Sequence, residues 1–152
     1  MVRRAGRRDR AWPEPGGDRR RALVASPPVE TRRALLLIAD IGGYTRFMKF
    51  HRASLAHAQE IVAQLLEAVI DATRDHLKLA KLEGDAAFFY IAWPSGTEPT
   101  LEFVAEQAAT IYRAFHLRAS DLKINTMCVC DGCQQAGNLK IKLVGHLGEA
   151  AV

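Results

Sequence analysis

Leu35-Leu36-Leu37-Ile38-Ala39-Asp40-Ile41-Gly42-Gly43-Tyr44-Thr45 is the stretch on which the fold turns. The run from Ala34 to Ala39 is continuously apolar, too short for a helix and long enough for a strand covered on both faces. Asp40 interrupts it, and Gly42-Gly43 follow, where the absence of side chains lets a ligand approach the backbone. The pattern predicts a first strand over Ala34–Ala39 that ends at Asp40.

Working outward, Lys81-Leu82-Glu83-Gly84-Asp85-Ala86-Ala87-Phe88-Phe89-Tyr90 repeats the device: an aspartate beside a glycine at the edge of an apolar run. Leu77 to Leu82 and Ala86 to Trp93 flank Glu83-Gly84-Asp85, which predicts a hairpin with Asp85 at its tip. Between the two stretches, Ile61, Leu65, Ala68 and Ala72 recur at helical spacing, so a long helix is expected from Ser54, a ready cap, to about His76.

Pro94, Gly96 and Pro99 break the chain, and Leu101, Val104, Ala108, Ile111 and Phe115 define a second helix to about His116. Lys123 to Cys130 reads as a strand before a turn at Asp131-Gly132. Leu139, Ile141 and Leu143 then alternate with Lys140 and Lys142, a strand with one wet face. The order predicts an α/β sandwich with helices packed on a mostly antiparallel sheet.

At 152 residues and 49% hydrophobic, the chain can bury one core. Its net charge of +4 is unevenly placed. Residues 1–33 hold ten arginines against four acidic residues, whereas the remainder has eleven basic and thirteen acidic side chains. Residues 1–33 read as a disordered basic tail and 34–152 as the domain. Phosphate attraction alone could draw such a tail to RNA, but it offers only Trp12 for stacking, so nucleic acid is not the expected partner. No apolar run approaches the roughly 20 residues that span a bilayer, and no signal-peptide pattern precedes Pro27-Pro28. A cytoplasmic protein is expected.

Neighbouring strands lie about 4.8 Å apart, so the end of the first strand and the hairpin tip should bring Asp40 and Asp85 close enough to share divalent ions. Hard carboxylate oxygens suit Mg²⁺ or Mn²⁺. A pair of such ions stabilises the attacking and leaving oxygens of phosphoryl transfer.

At these residues the chain resembles the catalytic domains of class III adenylyl and guanylyl cyclases. Asp40-Ile41-Gly42-Gly43-Tyr44-Thr45 is similar to their D-I-x-G-[FY]-T signature and Lys81-Leu82-Glu83-Gly84-Asp85 to their K-x-x-G-D hairpin. Gly145-His146-Leu147-Gly148-Glu149-Ala150 is similar to G-[IV]-H-x-G-x-[VA] on a later strand. More closely, the chain resembles a small bacterial group of stand-alone cyclase-like domains of unknown function. That group shares A-D-I-x-G-Y-T-x-F, H-A-Q-E-I and L-x-K-L-E-G-D-A, here beginning at Ala39, His57 and Leu79.

The resemblance implies that Asp40 and Asp85 bridge two Mg²⁺ or Mn²⁺ ions, that Ile41 lends its backbone carbonyl, and that Gly42, Gly43, Tyr44 and Thr45 face the phosphates. Lys81 falls where the family reads the purine, which favours ATP over GTP, and that residue acts across a homodimer interface. The family's second base reader, and the asparagine and arginine that stabilise the transition state, have no counterpart in this sequence. The expectation is therefore a C-terminally truncated homologue that binds ATP and is weakly active or inactive. The alternative is a non-catalytic regulatory module, or a cysteine-based metal- or redox-sensing module, on the same fold.

Cys128, Cys130 and Cys133 are foreign to the family and form no disulfide framework. They read as small apolar residues and a turn thiol, or as Zn²⁺ or redox ligands with His116 or His146 as the fourth.

Overall fold

The computed structural model describes residues 30–50, 55–124 and 134–151. Four strands and three helices follow one another as β1 (Thr31–Gly42), α1 (Tyr44–Phe50), α2 (Leu55–Thr73), β2 (Lys78–Glu83), β3 (Ala86–Ala92), α3 (Leu101–Ile124) and β4 (Lys140–Ala151). A short 3₁₀ turn, Ala136–Asn138, leads into β4. The strands form one antiparallel sheet in the order β2-β3-β1-β4. This is the expected α/β architecture.

β1 is central because it has partners on both sides. Leu37 sits opposite Phe89 of β3 and Gly145 of β4. Its inward positions Leu35, Leu37, Ala39 and Ile41 are all buried, while Leu36, Ile38 and Asp40 face the other way. Onto the inward face pack Ile61, Leu65 and Val69 of α2 with Ile111 and Phe115 of α3. Arg118 of α3 adds a 2.6 Å hydrogen bond from Nη2 to Gln64 Oε1 of α2.

The structure departs from the sequence expectations in three places. β1 does not stop at Asp40: it runs through Ile41 to Gly42, since β4 continues to pair with it as far as Gly42↔Lys140. It also begins at Thr31, where Thr31↔Ala151 extends the ladder into the stretch expected to be a tail. α3 continues eight residues past His116, because Ala119 and Leu122 prolong the stripe begun by Ile111 and Phe115 and no glycine or proline intervenes. Lys123 and Ile124 are thus helical and not the start of a strand; the rest of that expected strand lies outside the described residues.

Among the described residues the helices cover one face of the sheet, so β1 is not covered on both faces as its apolar run suggests. On the other, Leu36 is 46% and Val144 61% exposed, and Ile38, Phe88 and Tyr90 are half-buried. Asp40 lies at one end of that open face.

Candidate functional site

The period of two along β1 sends Asp40 outward, between Ala86 of β3 and Lys142 of β4. One position on, the backbone N–H of Ile41 donates to the carbonyl oxygen of Asp85 at 3.1 Å. In an antiparallel pair the N–H and C=O of one residue point to the same neighbour, so the Ile41 carbonyl is also directed toward the hairpin tip.

The tip itself is a two-residue turn between Glu83 and Ala86. Gly84 takes it at φ +62 while Asp85 stays at negative φ, the arrangement used by a II′ hairpin turn, whose twist matches that of the strands. Local sequence and sheet register together bring Asp40, Ile41 and Asp85 to one corner.

The electrostatics report that proximity. Burial pushes the Asp85 carboxyl above its ordinary range, its own backbone N–H opposes this, the Asp40 charge adds to the rise, and the Lys142 charge works against it. Lys142 Nζ lies 3.9 Å from Asp40 Oδ2. Its stem crosses Gly42, where an added Cβ would stand 3.1 Å from Lys142 Cε. In the sequence Lys142 is one position of a wet strand face; its alternation with Leu139, Ile141 and Leu143 gives the face, and only the register sets it opposite Asp40.

Beyond Gly42 the chain turns at Gly43, whose φ of +94 favours glycine, and α1 follows. Gly42, Gly43 and Arg46 meet Gln135, Asn138 and Lys140 around a cleft of about 370 Å³. Thr45 is exposed, and Tyr44 is half-buried beside a groove of about 730 Å³ between α2 and the hairpin tip.

Lys81 projects from β2 onto the open face. Its Nζ sits 4.7 Å over the Phe88 ring and donates to Glu83 Oε2 at 2.8 Å, a hydrogen bond that, with the lysine charge, holds the Glu83 carboxyl below its usual range. A recess of about 350 Å³ opens beside it, walled by Leu36, Ile38, Phe88 and Tyr90.

Cys128, Cys130 and Cys133 lie outside the described residues. Of the two histidines named with them, His116 lies tilted against the Tyr112 ring, with centroids 4.3 Å apart, and His146 stands on the open face opposite Leu36. Among the described residues no three histidine, cysteine or acidic side chains converge. Two carboxylates with a nearby carbonyl still suit Mg²⁺ or Mn²⁺, whose remaining positions are commonly filled by water and phosphate oxygens.

Comparison with solved structures defines the class of fold: the chain has the fold of class III nucleotide cyclases. It matches the adenylyl cyclase CyaB from Pseudomonas aeruginosa with a TM-score of 0.61 at 12% identity, over 82% of this chain and 60% of that one. A class III adenylyl cyclase-like ATP-binding protein from Pseudomonas aeruginosa gives 0.60 at 19% identity, over 80% of this chain and 26% of that one. The guanylyl cyclase Cya2 gives 0.55 at 15%, over 82% and 58%.

Within that fold, residues 62–152 match a family described as proteins of unknown function, DUF2652, and the chain belongs to it. Consistent with this, it is 46% identical over 90 residues to the uncharacterized protein Rv2561/Rv2562 of Mycobacterium tuberculosis, over 59% of this chain and 40% of that protein. The chain thus spans about two-fifths of that relative's length. No helix among the described residues is long and apolar enough to cross a membrane.

Proposed function

We propose that this chain is a cyclase-like module that binds a nucleoside triphosphate, ATP in the first instance, together with two Mg²⁺ or Mn²⁺ ions. The observation that carries the reading is the meeting of Asp40 and Asp85 at the end of β1, stitched by the Ile41–Asp85 hydrogen bond. Asp40, Asp85 and the Ile41 carbonyl would hold the metals, which supply charge neutralisation for the phosphates. Gly42, Gly43, Tyr44 and Thr45 would border the phosphates. The apolar recess beside Lys81 is suited to a flat purine, with the ammonium at its rim.

The open sheet face, with Leu36 and Val144 uncovered, is the surface on which a second copy would dock, completing the base site from the partner. Turnover by this chain is expected to be weak or absent, with binding as its working property.

Titration with ATP and Mn²⁺ tests the proposal. Saturable binding that Asp40→Ala and Asp85→Ala each reduce at least tenfold is expected. Binding unaffected by both substitutions would leave the regulatory module without a nucleotide as the better reading, and robust cyclic nucleotide formation would overturn the expectation of weak turnover.

A further inference from the structure

Two carboxylates placed together repel, and the fold answers that repulsion with a cation of its own. Lys142 stands directly opposite Asp40 in the β1–β4 ladder, with Nζ 3.9 Å from Asp40 Oδ2, and its charge also reaches Asp85. Its position is built: Gly42, although on the outward side of β1, is buried, and its missing side chain leaves the path along which the Lys142 stem runs toward the aspartates. A Cβ there would press on Cε at 3.1 Å.

We propose that Lys142 is a tethered counter-ion of the Asp40–Asp85 pair and makes metal binding conditional on a polyphosphate, so that the site takes a metal–polyphosphate complex in preference to the bare cation. The inference rests on the two-metal reading above and adds to it an order of binding and a residue that enforces it.

The charges explain why. Two carboxylates and one ammonium leave a single net negative charge, too little to draw two divalent ions out of water. A like charge this close opposes each arriving divalent cation, weakly in water and several-fold more at a partly desolvated site. A polyphosphate reverses the balance: it brings the negative charge that the metals need and gives the ammonium a new partner.

The surroundings favour such a ligand. Beyond Gly42 the cleft of about 370 Å³ is bordered by Lys140 and Arg46 with the carboxamides of Gln135 and Asn138, and no carboxylate is among its described lining residues. An extended anion whose metal-bound end lies at Asp40 would run over Gly42, past Lys142, toward these groups.

The test uses the full chain and two readouts. First, Mn²⁺ affinity is measured by calorimetry without nucleotide and again with inorganic triphosphate. In Lys142→Met, Mn²⁺ alone should bind roughly three- to tenfold more tightly than in the unmodified chain, while Mn²⁺-triphosphate should bind more weakly. Unchanged or weaker binding of Mn²⁺ alone overturns the proposal.

Second, thermal unfolding without metal is followed for Lys142→Met, Asp40→Asn and the double variant. Lys142→Met should lower the midpoint, and Asp40→Asn should restore most of the loss; additive effects would show that Lys142 does not act on the pair. Absence of Mn²⁺ binding in both proteins, with the stability coupling present, would instead sink the two-metal reading and confine Lys142 to a counter-ion of the carboxylates.

Discussion

The Ile41 N–H reaches the Asp85 carbonyl one position past Asp40–Ala86, the pair that closes the β1–β3 ladder. Ile41 and Asp85 are joined there by one backbone hydrogen bond, which sets Asp85 beside Asp40, 45 positions earlier in the sequence, and its geometry depends on the turn that delivers Asp85.

Gly84 controls that delivery. It sits at φ +62 and an added Cβ would meet nothing within 4 Å, so the cost of a side chain is conformational and not steric. Gly84→Ala should destabilise by about 1 kcal/mol, and Gly84→Asn by clearly less because asparagine tolerates that region. Urea unfolding of the two variants measures the difference, and equal losses would mean that backbone conformation is not the cause.

Asp85 should make stability depend on pH in a direction opposite to that of most carboxylates. Its folded-state value is raised, so between the unfolded and folded values the native state holds more proton. Stability therefore falls as pH rises through that window, and the cost is fully present above it. Asp85→Asn should be more stable than the unmodified chain at neutral pH, and the gap should close as pH falls to about 4 and below. Denaturation midpoints across that range check the sign; a variant less stable at neutral pH would contradict it.

Phe115 is the largest fully buried side chain among the described residues and belongs to the core shared by α2, α3 and the sheet. Phe115→Ala should cost roughly 3–5 kcal/mol through lost burial and the cavity left behind. A loss below about 1 kcal/mol would mean that the helix layer packs differently.

Val144 lies on the open face, on the edge strand β4, 61% exposed and opposite Ile38. If that face seats a second copy, Val144→Asp should abolish self-association, since it places a charge in an apolar contact. The folded monomer should change little in stability. Sedimentation over a range of concentrations reads the first, and thermal melting the second; persistence of a dimer would move the interface elsewhere.

Much of the architecture was legible in the chain, for local reasons. The uninterrupted run Ala34–Ala39 announces a strand, though not the expected cover on both faces, since Leu36 is 46% exposed, and Glu83-Gly84-Asp85 announces a hairpin because glycine enters that turn without strain. Element ends were less legible. Asp40 looked like a terminator because it is charged, yet a strand ends where its partners end, and β4 pairs on to Gly42. Leu117 to Leu122 looked polar, but Ala119 and Leu122 continue the buried stripe of α3, which a reading of average polarity does not detect.

The sequence by itself singled out Asp40 and Asp85 as candidates and most of the segments that are strands or helices, because spacing and turn preference act over a few residues. Only the tertiary structure decided that Lys142 stands opposite Asp40, that Gly42 yields room for its stem, and that one apolar face of the sheet is left uncovered by the described residues. Those relations join residues about a hundred positions apart. They depend on the order and register of strands, a choice made by the packing of the whole sheet against its helices.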